Sequence, residues 1–393
     1  MDKHLSDAFF KAFAHEATAF AAAPGRTELG GNHTDHQHGC VLAAAIDLVA
    51  KAAAAKNGLS RIRVLSEGYP AIEIDLNDLS VRVEERGTTA ALIRGTAARF
   101  QALGVPIDGF DAYVTSSVLP GSGLSSSAAF EVLMGTILNG LSANGKFSDV
   151  ELAKIAQYAE NVYFGKPCGL MDQMASSVGG VIGIDFATPE APVIERIAFD
   201  FSESGYALCI VDSGADHANL TDAYAAIPQE MGAVAALFEK HVLREVDEAA
   251  FFARLNEVRT ACGDRAALRA MHFFAENARV GRQIEALQAG DMQAFLREVN
   301  ASGRSSEMLL QNIVPDGFSR HQDMAIALAL AKRALGGKGA CRVHGGGFAG
   351  TIQAFVPQDA LDGFRVEIEA ALGAGCCHVL TVRRHGGEIV TIR

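Results

Sequence analysis

The sequence predicts an α+β fold, because strand patterns and helix patterns fill separate stretches of the chain. Residues 61–83 alternate polar and apolar side chains around a turn, and residues 111–120 form another strand candidate that leads into a glycine-rich loop. Residues 264–299 and 324–335 are instead typical of helices. Strands that are mixed with segregated helices indicate the α+β class.

The remaining elements follow from local patterns. An amphipathic helix is predicted near the N-terminus, where charged residues also interrupt any signal-peptide core. A second helix begins at a capping box formed by Ser148 and Glu151, and Gly165 with Pro167 ends it. Further strands are predicted in YALCIVDSG, GTIQAFVP and CCHVLTVRR, and a further helix in PQEMGAVAALFEKHVLREV.

Composition limits the classes of function. The 393 residues are 49% hydrophobic, enough for two domains with sizeable cores. The net charge of −12 argues against binding to nucleic acid or to anionic membranes, which both need a basic face. The apolar segment 41–55 is too short and too charged to span a bilayer. We therefore expect small-molecule ligands and no binding to nucleic acid or membranes. We also expect a monomer.

The seven cysteines are scattered and odd in number, and they form no metal-ligand spacing. The adjacent pair Cys376 and Cys377 is more typical of a strand than of a disulfide. This usage suits a reducing compartment, so a cytoplasmic protein is expected.

One polar stretch needs a functional explanation. GRTELGGNHTDHQHG, residues 25–39, places ten side chains with hydrogen-bonding groups between glycines, whereas a simple turn needs a Gly, Asn or Asp at one or two positions. A polar ligand is the better explanation.

Three further stretches carry possible chemistry. Residues 119–140 combine a Pro-Gly-rich loop, three serines and an amphipathic run, which is typical of an anion site at a helix N-terminus, although a turn capped by Ser126 explains them too. No Gly-Lys-Ser/Thr follows, so this is not a Walker A loop. Residues 159–180 carry Glu160 and Asp172, either of which alone is an ordinary surface charge. Residues 341–357 contain three glycines that form a second backbone cradle or a tight turn.

Taken together, the four stretches resemble the sugar kinases of the GHMP superfamily and, within it, the galactokinase family. GRTELGGNHTDHQHG is similar to the signature GR-x-N-x-x-G-E-H-x-D-Y-x-x-G. PGSGLSSSAAFEV is similar to the nucleotide-phosphate loop, KPCGLMDQMAS to the segment with the catalytic aspartate, and HGGGFAG to the third glycine motif. One such motif arises easily by chance, but four in this order do not.

The resemblance implies a two-lobed GHMP kinase fold. Its N-terminal lobe, residues 1–195, would be like the second domain of ribosomal protein S5 and would hold the sugar signature and the ATP phosphate loop. Its C-terminal lobe, residues 196–393, would be ferredoxin-like and would hold the third glycine motif. ATP and Mg²⁺ are the implied cofactors.

The resemblance also implies residue roles. Asp172 would be the base that faces the anomeric hydroxyl of the sugar, and Arg26 would keep it ionised and stabilise the transferring phosphoryl group. Ser127 and Glu160 would hold Mg²⁺. The sugar would be bound by Asn32, His33, Asp35, Gly169 and Tyr224. The triphosphate would be wrapped by Gly121, Ser122, Gly123, Leu124, Ser125, Ser126, Ser127 and Ala128.

Two departures from the signature leave the sugar open. Asn32 replaces the family Glu that takes a hydrogen bond from the 6-hydroxyl of the sugar, and His36 replaces a Tyr. An amide removes repulsion toward a uronate but also accepts from a hydroxyl. Galactose is the first expectation, with galacturonate or another hexose as the alternative.

Two other functions are weighed against the kinase. A non-catalytic sensor of galactose and ATP is disfavoured because the serine run and the residues Arg26, Glu160 and Asp172 are all present. Phosphorylation of mevalonate or homoserine is disfavoured because those relatives lack the signature over residues 26–35.

Overall fold

The computed structural model describes residues 3–118, 123–215 and 220–391. The described chain forms two compact units. Unit 1 comprises residues 1–26, 44–180 and 383–393, and unit 2 comprises residues 27–43 and 181–382. This division differs from the predicted boundary at 195/196, because the chain leaves unit 1 after Arg26, returns to it at Ala44 and returns again at Arg383.

The predicted α+β class agrees with the observed elements. The strands are β1 (Ala19–Gly30), β2 (Cys40–Lys56), β3 (Arg61–Ser66), β4 (Ile72–Asp75), β5 (Phe110–Ser116), β6 (Val181–Asp185), β7 (Val193–Ile197), β8 (Tyr206–Asp212), β9 (Ala340–Val343), β10 (Thr351–Pro357), β11 (Cys377–Leu380) and β12 (Glu388–Thr391). The helices are α1 (Lys3–Phe13), α2 (Thr89–Ala102), α3 (Ser126–Leu141), α4 (Asp149–Tyr158), α5 (Met171–Val178), α6 (Thr221–Leu237), α7 (Glu248–Ala253), α8 (Leu255–Cys262), α9 (Asp264–Gln288), α10 (Met292–Ser305), α11 (Asp323–Leu335) and α12 (Leu361–Leu372).

Unit 1 is built on a sheet with the strand order β12-β1-β2-β5-β3-β4. Strands β3 and β5 are parallel, whereas β12 pairs with β1 in antiparallel register through Ala19 and Thr391. Helices α3, α4 and α5 contact one another, and α2 contacts α3 and α4. The helix α3 is buried along most of its length, which fixes the position of its first residues.

Unit 2 contains a four-stranded antiparallel sheet in the order β11-β8-β10-β9. Helices α11 and α12 pack against this sheet through an apolar core that includes Val211, Ala327, Ile352 and Ile368. A second core joins the helices α6, α7, α8 and α9 around Met231 and Phe251.

Local patterns predicted several elements correctly. Ser148 accepts from the Glu151 amide while the Glu151 side chain accepts from the Ser148 amide, so the capping box at α4 is confirmed. The helix predicted from 228 onward begins earlier, at Thr221, and ends at Leu237. Pro228 lies inside this helix, at its eighth residue, where it cannot donate the usual amide hydrogen bond to the preceding turn.

None of the helices in the described part of the chain combines the length and the hydropathy that a bilayer-spanning segment needs.

Candidate active site

An ion pair joins strand β1 to the start of one helix in unit 1. Arg26 is the last unit 1 residue of β1, and Asp172 is the second residue of α5. Arg26 Nε donates to Asp172 Oδ1 over 2.7 Å, and its Nη1 donates to the Gly123 carbonyl. The guanidinium is almost completely buried, so one Arg holds both the aspartate and the loop that precedes α3.

A hydroxyl holds the second oxygen of Asp172. Ser125 Oγ donates to Asp172 Oδ2 over 2.5 Å. Ser125 immediately precedes α3 and has a φ of +58°, a backbone angle that residues other than glycine rarely adopt. The Ser125 side chain makes no capping bond to α3, and Ser126 is already the first residue of the helix. The alternative of a simple turn capped by Ser126 is therefore not observed.

These contacts keep Asp172 ionised. Burial alone raises the pKa of Asp172, but the charge of Arg26 and the hydrogen bonds from Arg26 and Ser125 outweigh it and lower the pKa below its ordinary value. About a third of the aspartate side chain is exposed, at 32%. The carboxylate is thus charged, oriented and still accessible, as a general base or an electrostatic anchor must be.

A second carboxylate lies in an unusual turn. The helix α4 continues into a π-helical segment, Ala159–Phe164, which carries Glu160. Such segments often occur at functional sites because they redirect a side chain. Ser127 Oγ donates to Glu160 Oε1 over 3.4 Å, and Lys166 Nζ donates to the same oxygen over 3.2 Å. Burial lowers the pKa of Lys166, but the charge and the hydrogen bond of Glu160, together with the charge of Asp172, outweigh burial and raise that pKa.

The other oxygen of Glu160 has two donors of its own. Gln173 Nε2 lies 2.6 Å and Cys168 Sγ 3.0 Å from Glu160 Oε2. Burial, followed by the charge of Glu160, raises the pKa of the Cys168 thiol, which therefore stays protonated and donates. Gln173 Nε2 also donates to Glu131 Oε2 over 3.1 Å.

The donor set around Ser127 and Glu160 fits Mg²⁺. A hydroxyl and a carboxylate are hard oxygen ligands, and Mg²⁺ commonly takes one or two protein ligands together with phosphate oxygens and water. Among the described residues, no group of three or more His, Cys, Asp or Glu could hold a metal alone. A metal at this position would therefore depend on a ligand such as a nucleotide.

The predicted phosphate loop is only partly described. Gly121 and Ser122 lie outside the described residues. Gly123, Leu124 and Ser125 lead into α3, which begins with Ser126, Ser127 and Ala128. The helix N-terminus follows the loop directly, and its unpaired amides can bind an anion.

The polar signature stretch enters unit 2, where Asn32 is completely buried. Its Nδ2 donates to the Gly345 carbonyl over 2.6 Å and to Glu28 Oε1 over 3.2 Å. Its Oδ1 accepts from Asn312 over 2.9 Å and from Ser306 over 3.3 Å. Every polar group of this side chain is bonded internally, so the structure does not support the expectation that Asn32 contacts a sugar.

His33 has a similar internal role. His33 Nε2 lies 3.0 Å from the Gly346 carbonyl, which only accepts, so this nitrogen carries the proton. Its Nδ1, 3.2 Å from His36 Nε2, then accepts from His36. Burial lowers the pKa of His33 to about 4 and, with the charge of His33, that of His36 to about 3, so both rings are neutral near pH 7.

Tyr224 completes a set of contacts to one glycine turn. Its hydroxyl donates to the Gly347 carbonyl over 2.8 Å, and burial raises the pKa of Tyr224 to about 12, which keeps the donor protonated. Asn32, His33 and Tyr224 thus bind the carbonyls of Gly345, Gly346 and Gly347 in turn. Three residues predicted to bind sugar meet at the third glycine motif.

Two further residues, Asp35 and Gly169, were predicted to bind the sugar. Asp35 begins the short 3₁₀ turn Asp35–Gln37 of unit 2 and is half-buried. Gly169 belongs to unit 1, where it is exposed between Cys168 and α5.

Sequence reasoning missed the residues that support these sites. In unit 1 they are Glu131, Lys166 and Gln173. Glu131 follows Ser127 by one helical turn, so helical spacing could have indicated it. In unit 2 the buried partners of the signature stretch are Ser306, Asn312 and Arg342, which pairs with Glu28. They are distant in sequence and give no local signal.

Comparison with known proteins identifies the family. Residues 7–56 match the galactokinase galactose-binding signature, and residues 91–180 match the GHMP kinases N terminal domain. The galactokinase of Streptomyces coelicolor is 30% identical over 377 residues, which cover 94% of this chain and 92% of that protein. The chain belongs to the galactokinase family.

Solved structures agree with this assignment. The galactokinase of Lactococcus lactis, crystallised in complex with galactose, is 25% identical, with a TM-score of 0.83 over 98% of this chain and 99% of that one. The mevalonate kinase of L. major in complex with R-mevalonate shares the fold, at 18% identity and a TM-score of 0.62 over 93% and 96% of the two chains. The predicted GHMP kinase fold and kinase class of this galactokinase family member are confirmed.

Proposed function

We propose that this chain is an ATP-dependent sugar 1-kinase that converts α-D-galactose and ATP to α-D-galactose 1-phosphate and ADP. The observation that carries the proposal is the ionised Asp172, held between Arg26 and Ser125. The galactokinase family supplies the reaction type. Galactose, the ligand in the Lactococcus lactis structure, is the first choice of substrate.

In this mechanism Asp172 orients the anomeric hydroxyl of the sugar and accepts its proton as that oxygen attacks the γ-phosphorus of ATP. Arg26 has two tasks, because its charge keeps Asp172 ionised and also stabilises the negative charge on the transferring phosphoryl group. Ser125 fixes the second carboxylate oxygen, so that Asp172 Oδ2 does not rotate freely.

The nucleotide is proposed to bind at the loop before α3, with its phosphates at the amides of the helix N-terminus. Ser127 and Glu160 are the proposed metal ligands. A bound Mg²⁺ would neutralise phosphate charge there. Lys166, which donates to Glu160, keeps positive charge beside this carboxylate.

On the sugar side we propose Asp35 and the backbone of Gly169 as hydroxyl-binding groups. Asn32, His33 and Tyr224 are proposed to act by holding the glycine turn 345–347, since their polar atoms bind its carbonyls. An uncharged polyol needs donors and acceptors at fixed positions, and a fixed turn helps to supply them.

All seven cysteines are free thiols in the structure. This supports the proposal that the enzyme works in the reducing cytoplasm, where thiols stay reduced. We also propose that it works as a monomer.

An ADP-release assay tests the substrate. The acceptors are galactose, galacturonate, glucuronate, arabinose and N-acetylgalactosamine, and a reaction without sugar gives the background. We expect the highest kcat/KM with galactose and a sugar 1-phosphate in the ³¹P NMR spectrum of the product. Higher kcat/KM with galacturonate would assign the enzyme to the uronate, and no release above background would favour the galactose sensor.

A further inference from the structure

A single amide links the two carboxyl groups behind the proposed metal site. Gln173 follows Asp172 in α5 and is completely buried. Its Nε2 lies 2.6 Å from Glu160 Oε2 and 3.1 Å from Glu131 Oε2. The helix that carries the proposed base therefore also contacts the carboxylate of the π-helical segment.

The two oxygens of Glu160 have different surroundings. Oε2 accepts from Gln173 and from the Cys168 thiol. Oε1 instead faces the hydroxyl of Ser127 and the ammonium of Lys166. Gln173 thus holds one oxygen of the carboxylate and leaves the other beside Ser127, the second proposed metal ligand.

Glu131 fixes the amide from the other side. It follows Ser127 by one turn of α3, so both side chains lie on the same helix face, and it is completely buried. Within the described part of the chain, neither Glu131 Oε1 nor Gln173 Oε1 has a hydrogen-bond partner. A buried polar atom without a partner costs about 1–3 kcal/mol of folding free energy. A contribution to stability therefore does not explain why Glu131 and Gln173 are buried together.

We propose that Gln173, held by Glu131, is a positioning residue that orients Glu160 so that its Oε1 stands beside Ser127 for the nucleotide's divalent cation. The inference rests on the proposed function, because it takes Ser127 and Glu160 as the ligands of that cation. Neither Gln173 nor Glu131 touches the metal. Each acts through Glu160.

Mn²⁺ serves as the probe, with its EPR signal reporting binding to the full-length protein in the presence of a non-hydrolysable ATP analogue. Loss of a group that orients a metal ligand typically weakens metal affinity by about 10–100-fold. We expect a loss of this size in Gln173→Leu and in Glu131→Leu. Glu131→Gln keeps an acceptor oxygen for Gln173, so its Mn²⁺ affinity should stay within about three-fold of the wild type.

Asn139→Leu is the matched control. Asn139 is another buried amide of unit 1, and it bonds the backbone of Phe147. Its replacement should lower the melting temperature but leave the Mn²⁺ affinity unchanged. A melting temperature is recorded for every variant, so that general destabilisation is separated from loss of the metal.

The inference is overturned if Gln173→Leu and Glu131→Leu bind Mn²⁺ as the wild type does, or if Asn139→Leu weakens Mn²⁺ binding as much. It is also overturned if the wild-type protein binds no Mn²⁺ with the nucleotide. Failure of the proposed function gives a different pattern, because no sugar would then release ADP although Mn²⁺ and the nucleotide still bind.

Discussion

Arg26 Nε lies 2.7 Å from Asp172 Oδ1, and the two residues face each other within unit 1 although 145 other residues separate them in the chain. The pair has one buried member and one partly exposed member. A buried guanidinium next to a reachable carboxylate keeps the carboxylate charged without covering it. Such an arrangement leaves the exposed side of Asp172 available for the proposed proton transfer.

The first prediction removes that charge. Asp172→Asn should retain binding of ATP and sugar but lose turnover by about 10²-fold or more, because an amide cannot accept the hydroxyl proton. ADP release and nucleotide binding are measured on the same preparation. If the Asn variant turns over within a few-fold of the wild type, Asp172 is an electrostatic anchor and not the base.

The second prediction concerns the proposed metal ligands. Ser127→Ala and Glu160→Gln should each raise the Mg²⁺ concentration needed for half-maximal activity, because each removes or weakens one oxygen ligand. The measurement is a Mg²⁺ titration at saturating ATP. Unchanged titration curves in both variants would return the two residues to structural roles at their helix ends.

The third prediction concerns two signature positions at which this chain has the Glu and the Asn of the family pattern in exchanged places. The family pattern has Asn where this chain has Glu28, and Glu where it has Asn32. Asn32→Glu alone should lower the free energy of unfolding by about 3 kcal/mol or more, because it places a second buried carboxylate beside Glu28. Glu28→Asn alone should also destabilise, because it leaves the buried Arg342 without its carboxylate partner.

The double variant, Glu28→Asn with Asn32→Glu, should lose less free energy of unfolding than the two single variants lose together, by at least about 1 kcal/mol. Asn32 Nδ2 lies 3.2 Å from Glu28 Oε1, so a carboxylate at position 32 ends close to the one it replaces and can pair with Arg342. Denaturant unfolding of the four proteins measures the coupling. Strictly additive losses would show that a carboxylate at position 32 does not replace that of Glu28 as the partner of Arg342.

The fourth prediction is a loss of stability in mild acid. Burial, followed by the charges of His272, Arg269 and Arg342, lowers the pKa of His33 from its ordinary value of 6.5 to about 4. Burial, followed by the charges of His33 and His272, lowers the pKa of His36 to about 3. As the pH falls, these histidines bind protons in the unfolded chain at a higher pH than in the folded chain. The free energy of unfolding is therefore highest above about pH 6.5 and falls as the pH drops toward 4, by up to about 1.4 kcal/mol per pH unit for each ring.

His36→Gln removes one of these rings but keeps an amide that can donate to His33. The fall in melting temperature between about pH 7.5 and about pH 5 should be smaller in this variant than in the wild type. His4→Gln, a change at an exposed histidine of α1, is the control and should leave that fall unchanged. An equal fall in all three proteins would contradict the prediction.

The fifth prediction compares two glycines of one turn. Gly345 and Gly347 both have left-handed φ values, of +66° and +80°. A Cβ at Gly345 meets nothing within 4 Å, whereas one at Gly347 would lie 2.1 Å from the Asn312 carbonyl oxygen. Gly345→Ala should cost about 1 kcal/mol from backbone strain alone, and Gly347→Ala at least about 2 kcal/mol more.

Equilibrium unfolding of both variants is the measurement. Equal costs would mean that the turn can move away from Asn312.

Local sequence patterns predicted those features whose cause is local. The capping box of Ser148 and Glu151 needs two side chains three residues apart, so it could be recognised directly. The π-helical segment that carries Glu160 could not, because the same residues continue the helical pattern of α4. The pairing of Arg26 with Asp172 was implied by the family resemblance and by no spacing in the chain.

The role of Asn32 shows the limit most clearly. Its partners Gly345, Asn312 and Ser306 come from distant parts of the sequence, and no local pattern brings them together. A buried amide with every group bonded and a ligand-binding amide look the same in a sequence. Only the tertiary contacts distinguish them.

The pairing of β12 with β1 has a consequence for how unit 1 folds during synthesis. Residues 19–22 leave the ribosome early, but their partners, residues 388–391, are made only after all of residues 181–382. Until then the edge of β1 has no partner, and open strand edges are prone to pair with other chains. Unit 2 can thus finish folding on the nascent polypeptide while this edge of the unit 1 sheet is still open.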